Sequence, residues 1–148
     1  MTPPRVLPPH YFVLSLVLII GIGILEEGSL LPSPWQYLGL LPVLVGVVMA
    51  VQGSRLFDRA GTNIIPFTES SALVTSGVFS ISRNPMYTGM VLALAGTALI
   101  MNGLLAWLVV IAFTALIRGF FIRTEERLME KTFGEEYLAY KASVRRWI

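Results

Sequence analysis

The chain contains no cysteine, which removes disulfides, thiolate metal sites and a cysteine nucleophile together. Histidine is almost as scarce, His10 being the only one. Zinc and di-iron centres draw on several His and carboxylate ligands. A Ser-His-Asp arrangement needs a histidine beside its serine. Neither chemistry is expected, and no metal is. Charge is the third shortage: 14% of the 148 residues are charged, against about a quarter in a soluble globular domain. With 55% hydrophobic residues and a mean hydropathy of +0.72, the composition argues against a water-soluble fold. The length suits one domain, residues 1–148, working inside or at the face of a bilayer.

What charge there is sits in few places. Uncharged stretches cover 6–25, 28–54 and 84–117. The first two each suit one helical crossing of about 20 residues. The third, as one helix of about 1.5 Å per residue, would far exceed a hydrocarbon core of about 30 Å. Asn102-Gly103 is the natural break in it. The expected fold is therefore an all-α integral membrane protein with four spans at 8–25, 36–54, 86–101 and 104–117. The last two are short, which favours bending or a continuation of the fourth helix past Arg118. Cytoplasmic segments are expected at 55–85 and 118–148. All eleven Lys and Arg then fall on one side of the bilayer, and the opposite loops carry only Glu26 and Glu27. The positive-inside rule predicts an N-in, C-in orientation. The first span is read as a retained helix, because Pro3, Pro4, Pro8 and Pro9 crowd the n-region and Glu26-Glu27-Gly28-Ser29 is a poor cleavage site.

Two stretches hold most of the polar chemistry. RLFDRAGTNIIPFTESSALVTSGVFSISRNPMY (55–87) is interrupted by Gly61, Pro66, Gly77 and Pro85, so it reads as loop with short helical pieces. It is also too apolar for a free linker and is expected to fold against the membrane domain. In RGFFIRTEERLMEKTFGEEYLAYKASVRRWI (118–148), residues 123–133 read as a charged helix, with Glu126 and Glu130 spaced i,i+4 and Gly134 as its C-cap. Residues 135–144 make another turn or two, and Trp147 beside Arg145 and Arg146 suits an interfacial anchor. Taken singly, these features have plain structural readings. Arg118, Arg123 and Arg127 serve as topology determinants or lipid-headgroup contacts, Glu125-Glu126 as a solvated face, and Arg83-Asn84-Pro85 as a helix cap. Gly89, Ala93, Gly96 and Thr97 suit close helix packing.

Together the stretches are more specific. LVTSGVFSISRNPMYTG, then an apolar hairpin, then RTEERLMEKTFGEEYLAYKASVRRW closely resembles the isoprenylcysteine carboxyl methyltransferase family, which is related to the integral-membrane phospholipid methyltransferases. The resemblance covers about residues 62–147. It implies S-adenosylmethionine-dependent methyl transfer to a lipophilic or prenylated acceptor, with the cofactor held between the helical hairpin and the C-terminal segment. Carried over residue by residue, the family's cofactor site falls on Ser71, Ala72, Leu73 and Val74, on Phe79, on Asn84, Pro85, Met86 and Tyr87, and on Glu125. Two departures stand out. Phe79 replaces a usual tyrosine, and Asn84 replaces a frequent histidine, keeping donor and acceptor capacity but not titration. The substrate-side arginine aligns nearest to Arg123, with Arg118 one or two turns earlier.

The chemistry so implied asks for little. Methyl transfer from a sulfonium needs a nucleophile placed in line and water kept out. A carboxylate acceptor needs no base. The N-terminus of the third helix after Asn84 offers N–H donors to a carboxylate, and Glu125 or Glu126 offers acceptors to ammonium and ribose. Leu73, Val74 and Met86 suit an adenine, while Arg83 and Arg123 suit an anionic acceptor. An amine acceptor, as in phospholipid N-methylation, would need a base from Glu69, Glu125 or Glu126. The compact size points to a prokaryotic relative in the cytoplasmic (inner) membrane and leaves its acceptor open. Membrane lipids are expected partners and nucleic acid is not. The rival readings are an NADPH-dependent sterol-type reductase relative and a non-catalytic lipid-binding protein.

Overall fold

The structure is a computed structural model that describes residues 6–63, 65–67 and 70–148. All regular elements among them are helical. Helix α1 (Pro8–Leu25) starts with Pro8 at a first-turn position, where the missing N–H costs nothing. A short 3₁₀ turn, Trp35–Gly39, runs into α2 (Leu40–Arg59). Helix α3 (Pro85–Met101) ends at Asn102, which adopts the left-handed conformation (φ 61°). The expected break at Asn102-Gly103 is therefore real. Helix α4 (Ala106–Leu116) follows.

Three helices are long and apolar enough to cross a membrane: Pro8–Leu25, Trp35–Arg59 and Ala106–Phe133. Pro85–Met101 is apolar but shorter, at 17 residues.

One boundary differs from expectation, and one follows it. Helix α2 continues to Arg59 rather than stopping at 54, because Leu56 and Phe57 find apolar partners in a cluster around Val78, Phe79, Tyr137 and Tyr140. The fourth helix does continue past Arg118, as its short apolar run favours. It passes through a π-helical stretch, Ile117–Ile122, directly into α5 (Arg123–Phe133). Ile117, Phe121 and Ile122 are buried in the main core, which keeps this stretch helical where the composition turns polar. Gly134, at φ 52°, then redirects the chain into α6 (Glu135–Ser143).

The pairing of α2 with α3 rests on missing side chains. Gly46 lies against Gly89 and Gly39 against Gly96, so close that a Cβ on any of the four would drive into the facing carbonyl oxygen. With lipid on the outside there is little hydrophobic gain in joining two helices, and close backbone contact supplies dispersion instead. The small-residue spacing on α3 is thus a packing seam.

Candidate functional site

Three segments distant in sequence meet at the N-terminal end of α3: the loop before it, α5, and α6 with the C-terminal tail. They enclose a cleft of about 90 Å³ that opens to the outside. Much of its lining is apolar, with Phe67, Leu73, Val74, Met86 and Met129. The same lining brings Arg83, Asn84, Glu125 and Glu126 together.

The start of α3 is arranged unusually. Pro85 fits the first helical position because its absent N–H would have no partner there. Asn84 precedes it, yet its side chain does not cap the helix. Its Nδ2 donates instead to the carbonyl of Arg146 (3.1 Å), while its own N–H donates to Ser82 Oγ (3.1 Å). The first-turn N–H groups of α3, which have no intrahelical acceptor, are left without a side-chain cap where Pro85, Met86 and Tyr87 line the cleft.

The C-terminal tail binds this end of the helix like a strap. Arg83 N–H donates to the carbonyl of Arg145 (2.9 Å), and Ser82 Oγ donates to that of Arg146 (3.2 Å). Glu126, buried, accepts from Arg83 Nη2 (3.1 Å) and from Arg146 Nε and Nη2 (2.9 and 2.6 Å). This triad joins α3, α5 and the tail. Burying the Arg83 and Glu126 charges is tolerable only when geometry and partners are good, and here the partly exposed Arg146 adds a second guanidinium to the carboxylate. The Glu126 hydrogen bonds hold Arg146 even more firmly protonated than an ordinary arginine. Arg83 Nη1 also donates to the carbonyl of Lys141 (3.3 Å), but its buried Nε has no partner among the described residues. A buried donor left without an acceptor is costly, and this one belongs to a residue lining the cleft.

Glu125 lies on α5, beyond the apolar stretch. Tyr87 donates to its Oε1 at 2.6 Å. Burial raises the Glu125 carboxyl from the usual range to about 7; the Tyr87 bond opposes the shift and the neighbouring Glu126 charge adds to it. Phe79 stacks on Phe57 (centroids 5.0 Å apart, planes 4° apart). Its carbonyl accepts from Tyr140 (2.6 Å), whose hydroxyl is pushed up to about 12 by burial despite the nearby Arg83 charge.

Of the residues singled out from sequence, Ala72, Leu73, Val74, Phe79, Arg83, Asn84, Pro85, Met86, Tyr87 and Glu125 all line this cleft, as does Glu126. Ser71 does not. Its hydroxyl donates to the carbonyl of Gly61 and its N–H to Thr62 Oγ1, so it ties the loop to the end of α2. Arg123 does not either. Two residues before Glu125 on a helix, it points about 200° around the axis from it, and it lines a separate groove with Arg118. Glu69 lies outside the described residues. Sequence reasoning missed Tyr137, Tyr140 and Arg146. The tyrosines read only as neighbours on a helix, and Arg146 as an interfacial anchor, where in fact it ion-pairs with Glu126. No spacing signal marks a residue that reaches its partner through a tail folded back from 20 positions away.

A family model described as phospholipid methyltransferase matches residues 35–136. A probable protein-S-isoprenylcysteine O-methyltransferase of Oryza sativa subsp. indica is 30% identical over 114 residues, 74% of this chain and 58% of that protein. Protein-S-isoprenylcysteine O-methyltransferase A of Arabidopsis thaliana is 28% identical over 145 residues, 91% of this chain and 71% of that one. A Haemophilus influenzae protein with no assigned activity is 44% identical over its whole length of 63 residues, 43% of this chain. The chain thus spans less than two thirds of the rice relative.

Proposed function

The chain belongs to the phospholipid methyltransferase family, and from that premise we propose that it is an S-adenosylmethionine-dependent methyltransferase acting on a lipophilic acceptor at the membrane, most like isoprenylcysteine carboxyl O-methylation. One observation carries the reading: an apolar-walled cleft at a helix end where uncapped N–H groups, an arginine with an unused buried donor, and a carboxyl held near 7 converge. That donor and acceptor set fits an amino acid with an adenosine attached. When bound, the cofactor supplies an electrophilic methyl group.

The protein's residues do the rest. The α3 N-terminus and Arg83 hold a carboxylate. Glu125 accepts from ammonium or ribose hydroxyls, and Leu73, Val74 and Met86 flank an adenine. Phe79 and Tyr140 close the cleft against water, which would otherwise compete as acceptor. A carboxylate acceptor arrives ionised, so no base is needed. Arg123 is left out of this assignment.

We read Pro85–Met101 as a fourth span, since 17 residues reach the lower limit of about 17–25 for a crossing. The N-in, C-in orientation is supported by the eleven basic residues, which a four-span path puts on one side of the bilayer. Similarity to the Haemophilus influenzae protein supports a prokaryotic cytoplasmic membrane as its place.

N-methylation of an amine headgroup is the second reading, and Glu125 favours it. An amine acceptor must lose a proton, and a carboxyl with a value of about 7 is suited to take it. The test is a labelled-methyl transfer assay with total membrane lipids and a prenylcysteine analogue, run beside titrations with S-adenosylmethionine and NADPH. Label in the prenylcysteine fraction supports the first reading and label in amine lipids the second. Binding of NADPH without S-adenosylmethionine overturns both.

A further inference from the structure

A second groove runs between α3 and α4 and shares no lining residue with the cleft. Its floor is apolar, with Val91 and Ala95 on one side and Trp107, Val110 and Ile111 on the other. Arg118 and Arg123 close one end. Both are exposed, and neither forms a hydrogen bond or ion pair among the described residues.

That the two arginines share the groove is a consequence of the π-helical stretch. Five residues apart on a regular α-helix, they would lie about 140° apart around the axis. In a π-helix the hydrogen bonds run i to i+5 and each turn takes about 4.4 residues, so residues 118 and 123 stand only about 50° apart. π-turns inside α-helices are rare and often mark functional sites. Here the irregularity brings two like charges to one side of the helix, where they repel each other unless an anion lies between them. The same turn sets the phase by which Glu125 and Glu126 enter the cleft on the other face.

We propose that this groove is a binding site for an anionic membrane phospholipid that is not itself methylated, with its phosphate held by Arg118 and Arg123 and an acyl chain lying along Val91, Ala95, Val110 and Ile111. Charge complementarity selects the headgroup. The apolar floor runs from the arginines toward Trp107, about 16 Å of helix rise away, which suits a chain rather than a soluble anion. A zwitterionic headgroup offers a weaker net attraction to two guanidinium groups.

The test is retention of phosphatidylglycerol against phosphatidylcholine by the purified full chain, read by native mass spectrometry and by lipid-dependent thermal stability. The wild type is expected to retain phosphatidylglycerol preferentially and to be stabilised by it. R118Q/R123Q is expected to lose about tenfold or more of that preference, taking about 1 kcal/mol for each basic residue near an anionic surface. R118K/R123K is expected to keep part of it. R55Q/R59Q, which removes two exposed arginines elsewhere on α2, is expected to leave it unchanged. Equal retention of both lipids by the wild type overturns the proposal. So does an undiminished preference in R118Q/R123Q, or an equal loss in R55Q/R59Q. Stabilisation by inorganic phosphate alone, equal to that by the lipid, overturns it as well. None of these readouts depends on methyl transfer.

Discussion

Helix α3 is bounded by an asparagine at each end, and the two do opposite things. Asn102, at the C-terminal end, is saturated: its Oδ1 accepts from the N–H groups of Leu30 and Leu31 (3.1 and 2.8 Å) and its Nδ2 donates to Leu31 (2.7 Å). Beside it, Glu26 accepts from the N–H groups of Leu104 (3.0 Å) and Leu105 (3.2 Å) at the start of the next helix. Asn84, at the N-terminal end, turns its amide toward the C-terminal tail and leaves the helix uncapped. At one end Asn102 and Glu26 are matched from within the chain. At the other end donors are left over, and next to them stands a carboxyl that burial keeps from ionising freely. Self-satisfied polar groups hold a fold together, whereas unmatched ones in a cleft await a ligand.

The comparison predicts that stability and ligand binding will separate when the two ends are changed one at a time. The largest effect is expected from a change that spoils both. Gly89→Leu puts a side chain into the backbone of α2 at Gly46, lifts the whole of α3, and should cost about 3 kcal/mol or more, the upper range for overpacking. Thermal melts and S-adenosylmethionine titration should both deteriorate; an unchanged melt would show that the seam is looser than described.

Next comes Glu125→Gln. It should weaken S-adenosylmethionine binding about tenfold to a hundredfold, the cost of about 1.5–3 kcal/mol for a charge-assisted hydrogen bond, with the melting temperature held or slightly raised. Calorimetry on the variant checks this, and wild-type affinity would remove Glu125 from the site. Asn102→Ala is its mirror image. It strands two N–H groups and leaves alanine in a left-handed conformation, at about 1–3 kcal/mol. The melting temperature should fall by several degrees while affinity for the cofactor stays the same.

The smallest expected effect is the pH dependence. Glu125 binds its proton more tightly in the folded chain than when unfolded. Its contribution to stability is therefore complete below the ordinary carboxyl range and is lost as pH rises through about 7. Ligand binding runs the other way, because the ionised form is the better acceptor. Affinity should rise by at most about tenfold per pH unit between pH 6 and 8, while the empty protein melts slightly lower. Proton release on binding, measured by calorimetry in buffers of different ionisation enthalpy, detects the same event. Flat affinity across that interval would contradict it.

Much of this was legible in the residues. The ends of α1, the break at Asn102, the start of α3 at Pro85 and the cap at Gly134 are all local, set by φ preferences and by the lengths of uncharged runs. Ten of the twelve carried-over or bet site residues line one cleft because motif spacing preserves which residues begin and end helices. Ser71, in the loop, is drawn away by its hydrogen bonds to Gly61 and Thr62, and Arg123 diverges through helix phase. A side chain turns about 100° per residue on a helix, so a one-position difference in phase moves it to another face. That phase is decided by the π-helical stretch at Ile117–Ile122, which no periodicity in IRGFFI announces.

By itself the sequence determined the class of molecule: helical, apolar, charged at one end and without a thiol. These are sums over residues or properties of short runs, and folding does not alter them. Only the tertiary structure decided which polar groups are spent and which remain. Whether Arg146 anchors a membrane or neutralises Glu126 depends on where a tail returns. Whether Asn84 caps its helix depends on a carbonyl 62 positions later. A hydrogen bond needs two partners within about 3 Å, and no property of either residue alone tells which partner it will meet.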